Sequence, residues 1–207
     1  MTSPANQQGH SLALVMVVLL LAGSTLISGL QVQQQAQYTS AREWDHVRSF
    51  EMAQALLADA ERDIQNAQTE KTNLPLWPRS LVDWDHWQAS LTVYPNRCHQ
   101  GLCASAAPST WPRAHWRQLR PSSAFWRGGA DYGQHTGASA PSPQALQGAR
   151  YWVEVWPLAP ALVSEPAPTF VYRITAVVWG QREGSHVVLQ SLWQQAGGRI
   201  AWQELGP

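Results

Sequence analysis

Apolar and polar positions divide the first 70 residues into two segments with different patterns. Residues 12–30 carry no charge and are mostly apolar. A helix of about 19 such residues is just long enough to cross a hydrocarbon core of roughly 30 Å. A helix in a soluble domain of this size has no need to be apolar on every side. The segment therefore indicates a membrane anchor, a secretory signal, or an anchor preceded by a leader that is removed.

The residues before Leu12 distinguish these three interpretations. A secretory signal has a basic start, an apolar run of about 7–15 residues and a small-residue cleavage site. Here the first nine residues contain no Lys or Arg, and the small-residue triplet at 22–24 falls inside the apolar run. We favour removal of a short leader after Gly9, with the apolar helix retained.

The second segment has the period of an amphipathic helix. Apolar side chains recur every three or four residues, and the segment is dominated by the helix-favouring residues Ala, Leu, Gln, Glu and Arg. We predict one continuous helix from about Ser11 to about Thr69, whose second half needs a globular domain to cover its apolar stripe. The predicted apolar stripe comprises Trp44, Val47, Phe50, Ala53, Leu57, Ala60, Ile64 and Ala67. The predicted polar face comprises Arg42, Glu43, Arg48, Glu51, Asp59, Glu61, Arg62 and Asp63.

The C-terminal third has the composition of β-strands. Runs of aromatic and β-branched residues alternate with segments rich in Gly, Pro and Ser, and short turns join antiparallel neighbours. We predict an antiparallel sheet over about residues 150–203, with one face free to pack on the helix. The predicted strands are Tyr151–Trp156, Phe170–Trp179, His186–Trp193 and a short Ile200–Trp202.

The middle of the chain, residues 74–148, is rich in Pro, Gly, Ser and Ala. We predict a short strand at Leu91–Tyr94, a short helix within Arg113–Arg127 and a loop over 128–148. Arginines interleave with aromatic residues around that helix, a pattern that can stack and neutralise single-stranded nucleic acid or bind sugars. It also occurs in subunit interfaces and in ordinary packing of Arg stems on rings. The residues of this candidate binding surface are Trp111, Arg113, Trp116, Arg117, Arg120, Trp126 and Arg127.

Composition narrows the function classes. The formal net charge is zero and 14% of the 207 residues are charged, which argues against non-specific binding of nucleic acid or acidic lipid by the chain as a whole. Cys98 and Cys103 are the two cysteines. If the domain is exported, a disulfide is the default, and free thiols or a metal site with His99 are the alternatives.

No constellation indicates catalysis. The cluster of Asp83, Asp85 and His86 is more typical of a solvated or helix-capping turn than of a metal or acid–base site. The seven histidines lack ligand spacing, and the sequence holds neither a nucleophile-elbow context nor a phosphate-binding glycine loop. We expect no enzyme activity, no cofactor and no metal.

Taken together, these elements resemble a type IV pilin, and several segments resemble the minor pilins of the PilX type. Residues 7–15 (Gln-Gln-Gly-His-Ser-Leu-Ala-Leu-Val) are similar to the start of that family, which typically reads Gln-Arg-Gly before an apolar run. Residues 49–61 are similar to its Ala- and Glu-rich helical signature, and residues 172–175 and 187–191 to its closing hairpin. The resemblance covers residues 1–70 and about 150–195.

The resemblance implies an α+β pilin-like fold, with a long N-terminal helix packed on a small antiparallel sheet. It divides the chain into a leader (1–9), a transmembrane half-helix (10–31), an amphipathic half-helix (32–72) and a periplasmic domain (73–207). It further implies that a prepilin peptidase cuts after Gly9 and that His10 is methylated. The protein would sit in the bacterial inner membrane with a single pass before it enters a pilus. Its partners would be minor and major pilins and a tip adhesin.

One departure from the family bears on position in the fibre. Most major pilins carry Glu at the fifth residue after the cut, where it is thought to neutralise a neighbour's N-terminal amine, and this chain has Leu14. We therefore expect a role in the priming or tip complex. Charge does not fix the orientation, because the leader has no Lys or Arg. The alternatives are a type II secretion pseudopilin and a membrane-anchored periplasmic binding module.

Overall fold

A computed structural model describes residues 8–68, 77–78, 80–105, 113–141, 146–158, 170–182, 184–194 and 197–206, with side chains from residue 12 onward except 23–30, 32, 67 and 68. The helices are α1 (Gln8–Gln68), α2 (Leu81–Leu91) and α3 (Arg113–Gln118), with 3-10 turns at Pro95–Arg97 and Trp126–Gly128. The strands are β1 (Cys98–His99), β2 (Leu102–Cys103), β3 (Gly148–Pro157), β4 (Phe170–Trp179), β5 (His186–Gln194) and β6 (Gly198–Glu204). The predicted α+β class is confirmed.

The chain divides into two compact units, residues 1–44 and residues 45–207. The boundary falls within α1, whose bounds agree with the predicted helix over 11–69. Across the described part of the chain, no helix combines the length and the apolarity needed to cross a bilayer. The transmembrane assignment of the first half of α1 therefore stays a prediction.

The sheet contains the predicted meander and a small addition. Strands β3 to β6 pair antiparallel in sequence order, as their turn spacing predicts. The addition is the hairpin β1–β2, which joins the edge of β3 in parallel through the pair Leu102 and Val153. The antiparallel pairing predicted for about residues 150–203 is observed in β3 to β6, and the parallel pair brings in residues 102–103, which lie outside the predicted sheet.

The predicted strand at Leu91–Tyr94 is wrong, because this segment contains the end of α2 and a turn. The Ser80 hydroxyl accepts a hydrogen bond from the backbone N–H of Asp83 at 3.1 Å, which is a standard helix N-cap. Thr92 closes the other end with a bond from its N–H to the Ala89 carbonyl. Leu91 is thus the last residue of a capped helix, and residues 92 and 93 lie in the turn that follows it.

Strand β4 of the sheet is buried on both faces. Alternate residues of β4 enter two separate cores, since successive side chains of a strand point to opposite faces. The first core holds Ala53, Leu56, Leu57, Ala60 and Ile64 of α1 together with Tyr172, Ile174, Ala176 and Val178. The second core holds the disulfide and Trp116, Leu119, Phe125, Trp126, Trp152, Val177, Trp179 and Val188. Burial on both faces explains why β4 is apolar almost throughout.

The buried face of α1 differs from the predicted stripe. Asp59 and Asp63, which were assigned to the polar face, are fully buried, while Trp44 and Val47 expose 65% and 40% of their surface. Asp59 is buried because it accepts hydrogen bonds from a loop of the second unit, as described below, whereas Asp63 is buried without such a partner among the described residues. Polar side chains therefore occupy part of the face that a purely hydrophobic pattern assigns to apolar residues.

The turn between β1 and β2 requires glycine. Gly101 has φ +82°, and a Cβ there would lie 2.6 Å from the Cβ of Ala130. We expect Gly101→Ala to lower the free energy of unfolding by about 2–4 kcal/mol, from the unfavourable φ and the overlap together. Urea unfolding would measure the change. Gly137→Ala is the control, because Gly137 has φ +71° with open space around it. An equal loss in both variants would show that Ala130 imposes no constraint.

Candidate functional site

The first described turns of α1 expose an unbroken apolar surface. Consecutive residues on a helix point in all directions, and a helix that is apolar all round normally lies in a core or in lipid. Each large apolar side chain here exposes more than half of its surface. We call this set the N-terminal apolar surface: Leu12, Leu14, Val15, Met16, Val17, Val18, Leu19, Leu20 and Leu21. Its chemistry suits packing against lipid or other apolar helices.

The predicted processing residues precede this surface. Gly9 and His10 lie in the first turn of α1, and their side chains are outside the described set. Leu14, which stands where major pilins carry Glu, exposes 67% of its surface. Cleavage and methylation stay predictions.

Two buried carboxylates of α1 bind loops of the globular unit. Asp45 accepts backbone N–H bonds from Gln181 at 3.0 Å and Arg182 at 3.1 Å. Burial alone would raise the pKa of Asp45, but these two bonds, together with a hydrogen bond from the Ser185 side chain and the charge of Arg182, lower the pKa below its usual value. Asp59 accepts a bond from the Gly133 N–H at 2.7 Å and another from the Thr136 hydroxyl. These bonds fix the loops after β4 and before β3 to the helix.

A third carboxylate, Asp63, lies one turn further on and has no such partner. Its side chain is fully buried, and neither carboxylate oxygen has a hydrogen-bond partner among the described residues. Burial, reinforced by the negative charge of Asp59, raises the pKa of Asp63 to about 7. The pKa of the Tyr151 phenol is raised well above its usual range by burial and then by Asp63 and Asp59. A neutral Asp63 is the form that suits this environment.

The opposite end of the sheet presents a more exposed edge. The register between β5 and β6 shifts between Leu192 and Trp193. This bulge changes which side chains of β6 point to each face of the sheet. Arg199 forms a bidentate ion pair with Glu61 of α1 at 2.8 and 3.1 Å. Trp202 approaches Phe50 edge-on, with ring centroids 6.2 Å apart, and still exposes 51% of its surface.

The structure separates the rings of the predicted Trp–Arg surface from its arginines. Trp116 and Trp126 are buried in the second core, with centroids 5.4 and 5.6 Å from that of Trp152. Trp111 lies outside the described residues. The four arginines, Arg113, Arg117, Arg120 and Arg127, are exposed. The two described indoles are therefore not available for stacking a ligand, and a role for the arginines stays a prediction.

The contacts of two of these arginines are local. A guanidinium nitrogen of Arg113 donates to the side-chain carbonyl of Gln203 at 2.8 Å. Arg120 lies over the ring of Trp179 at 4.6 Å, and this indole donates to the Leu119 carbonyl at 2.9 Å. These contacts close segment 113–128 over the second face of the sheet, which accounts for part of the high Trp content.

Cys98 and Cys103 form the predicted disulfide. It closes the hairpin β1–β2, in which these two residues are cross-strand partners. Across the described residues, no group of three or more His, Cys, Asp or Glu side chains is arranged to hold a metal ion. The alternatives of free thiols and a metal site with His99 are thereby excluded for this pair.

Sequence reasoning missed the cross-strand ion pair of β3 and β4. Glu154 is 1% exposed and receives two hydrogen bonds of 2.8 Å from Arg173, its register partner. Arg173 also lies 4.5 Å over the ring of Trp156. Burial raises the pKa of Glu154, and the guanidinium of Arg173 opposes that shift. The available signal was one acid and one base, each placed inside an otherwise apolar strand.

One family model matches much of the globular unit. Residues 99–195 match the family model described as type IV pilus assembly protein PilX, C-terminal domain. The match begins at His99 within β1 and includes β2, α3 and strands β3 to β5, and so extends into the middle of the chain. No curated protein and no solved structure matches the chain. The resemblance to PilX-type proteins is thus confirmed.

Proposed function

We propose that this PilX-like type IV pilus protein is a minor pilin that acts by helix–helix packing in the priming or tip complex. Involvement in type IV pilus assembly follows from the family match over residues 99–195. The observation that carries the finer proposal is the N-terminal apolar surface, which is exposed on every side of the described helix. A surface of this kind needs an apolar environment to cover it.

Two environments meet that need in turn. Before assembly, the uncharged residues 12–30 lie in the inner membrane, with the globular unit in the periplasm. During assembly, the same surface packs against the helices of other pilins. Lipid tails and Leu side chains are similarly apolar, so transfer of this surface from lipid to the helices of other pilins changes the hydrophobic free energy little. The disulfide agrees with an oxidising compartment such as the periplasm.

Leu14 supports a place at the tip or in the priming complex. A subunit inside the fibre needs a carboxylate near the start of its helix to neutralise the amine of a neighbour, because a buried unpaired charge is costly. Leu14 offers no such group. A subunit that begins the fibre has no neighbour on one side and does not need it.

The first test of this proposal is N-terminal processing. The full chain would be expressed in membranes with and without a prepilin peptidase, and its N-terminal peptide analysed by mass spectrometry. We expect a mature chain that begins at His10 and carries a methyl group. Gly9→Leu should block the cut, and Gly23→Leu, a matched change inside the helix, should leave it intact. An uncut Met1, or a cut near Ser24, would refute the minor-pilin proposal in favour of an anchored or secreted module.

A second test separates a pilus from a type II secretion system. Deletion of the gene should abolish or reduce surface pili, and the full chain should restore them. Secretion of folded proteins should continue unchanged in the same strain. Loss of secretion with normal pili would instead identify the chain as a pseudopilin.

A further inference from the structure

We infer that the globular unit binds neutral sugar rings in an open groove between α2 and the hairpin β1–β2. This groove, called the α2 groove below, has a volume of about 580 Å³. That volume lies within the usual range for small-molecule sites, roughly 300–1,000 Å³. Its described lining residues are Trp77, Asp83, His86, Trp87, Ser90, Leu91, Tyr94, His99, Gln100 and Leu102.

The floor of the α2 groove is part of the first core. Trp77, Trp87, Leu91 and Leu102 are each less than 10% exposed and pack in the cluster that also contains α1 and the sheet. The rings of Trp77 and Trp87 lie 6.4 Å apart, and Trp77 meets Tyr172 edge-on at 5.5 Å. These contacts hold the aromatic floor in one arrangement before a ligand arrives.

One wall is a single face of α2. Asp83, His86 and Ser90 follow each other at steps of three and four residues, so they project on the same side of the helix. All three are exposed. They present a carboxylate, an imidazole and a hydroxyl along the length of the groove.

The other wall is the turn of the hairpin, which several contacts hold in place. The disulfide closes the hairpin, and a parallel pairing joins it to β3. The His135 ring bonds the Gln100 carbonyl at 2.8 Å, and the Gly101 N–H donates to the Gly128 carbonyl at 2.7 Å. The side chains of His99 and Gln100 are therefore presented from a fixed backbone, which lowers the entropic cost of binding.

Tyr94 closes the end of the groove with a flat ring. Its ring stacks on that of His99, with centroids 4.0 Å apart and planes 10° from parallel. Tyr94 nevertheless exposes 37% of its surface. It thus offers an aromatic face and edge next to the polar side chains of α2.

This combination matches the chemistry of a pyranose. A sugar ring has an apolar face of C–H groups, which packs on aromatic rings, and a rim of hydroxyls, which needs both donors and acceptors. In the α2 groove, Tyr94 supplies an exposed aromatic ring, the buried Trp77 and Trp87 supply an apolar base, and a carboxylate, imidazoles, a hydroxyl and an amide surround them. None of its described lining residues is Lys or Arg, so these residues offer an anionic ligand no permanent positive charge. A neutral glycan is the ligand class that this lining favours.

Titration of the full chain with two neutral tetrasaccharides, maltotetraose and the tetramer of N-acetylglucosamine, tests the inference. The protein would be held in lipid nanodiscs, because maltoside detergents would themselves present sugar rings. We expect saturable binding of at least one of them by calorimetry or ligand-observed NMR, with a Kd below about 10 mM, which is the range of weak but specific sites. Tetragalacturonate, which is anionic, should bind at least about tenfold more weakly than the better neutral ligand.

Variants of the lining locate the site. Tyr94→Ala and Asp83→Asn should each weaken binding by about tenfold or more, while Tyr94→Phe retains most of it. Asp85→Asn is the matched control, because Asp85 is exposed on the same helix but does not line the groove. Thermal unfolding of each variant would confirm that the fold is intact. Absence of binding by both neutral ligands, equal affinity in the lining variants, or tighter binding of tetragalacturonate would each overturn the inference.

Discussion

Replacing Arg173 with methionine is expected to lower the free energy of unfolding by roughly 3–5 kcal/mol, the range for breaking a buried ion pair from one side. Glu154 is 1% exposed and takes both of its 2.8 Å hydrogen bonds from this guanidinium. Removal of Arg173 leaves a carboxylate that must either stay charged without a partner or take up a proton inside the sheet. Urea unfolding at pH 7 measures the loss.

Two comparison variants show whether burial causes the effect. Arg199→Met breaks the ion pair between Arg199 and Glu61. Because the Arg199 side chain is 36% exposed, this change should lower the free energy of unfolding by no more than about 1 kcal/mol. The double variant Glu154→Met with Arg173→Met removes both charges and should recover most of the stability lost by Arg173→Met alone. Equal losses in Arg173→Met and Arg199→Met would mean that the cross-strand pair is already well solvated.

The elements built from local sequence pattern were predictable. The period of three to four residues predicts the extent of α1. The aromatic and β-branched runs predict β4 to the residue, β5 to within one residue, and β3 and β6 to within three. The disulfide was predictable because Cys98 and Cys103 are the two cysteines of a domain expected to be exported. In each case the signal lies within a short stretch of chain and does not depend on distant partners.

The elements that depend on long-range partners were not predictable. Whether Asp59 faces solvent or the core depends on Gly133 and Thr136, more than 70 positions away, which supply its hydrogen bonds. The parallel addition of β2 to β3 likewise depends on a contact across about 50 residues. Hydrophobic periodicity assigns every carboxylate to the surface, so it does not predict the burial of Asp59. It also contains no information about which distant strands pair.

The buried tryptophans illustrate the same limit for the candidate site. Interleaved Arg and Trp in segment 113–127 suggested a ligand surface, yet Trp116 and Trp126 cover the second face of the sheet. A sheet covered on both sides needs large apolar side chains from a segment with little regular structure. The α2 groove was missed for the opposite reason, because α2 and the hairpin form it only when they meet in space.

Replacing Asp63 with asparagine is expected to stabilise the protein at pH 8 by about 2–4 kcal/mol, because an ionised carboxylate at this site has no hydrogen-bond partner among the described residues. Burial and the charge of Asp59 raise the pKa of Asp63 from 3.8 to about 7. The folded protein therefore binds one more proton than the unfolded chain at any pH between these two values. For this group, the free energy of unfolding falls by about 1.4 kcal/mol per pH unit from pH 4 to pH 7 and is level above that range.

The difference between wild type and variant isolates this residue from every other titrating group. At pH 4 the wild-type carboxyl is protonated in the folded state, so Asp63→Asn should change the free energy of unfolding by less than about 1 kcal/mol. Between pH 4 and pH 7 the two curves should separate, and above pH 7 they should run parallel. Asp85→Asn, at an exposed position on α2, should show no such separation. If Asp63→Asn is instead less stable than wild type at pH 8, the native state stabilises the ionised carboxylate, and burial near Asp59 does not raise its pKa.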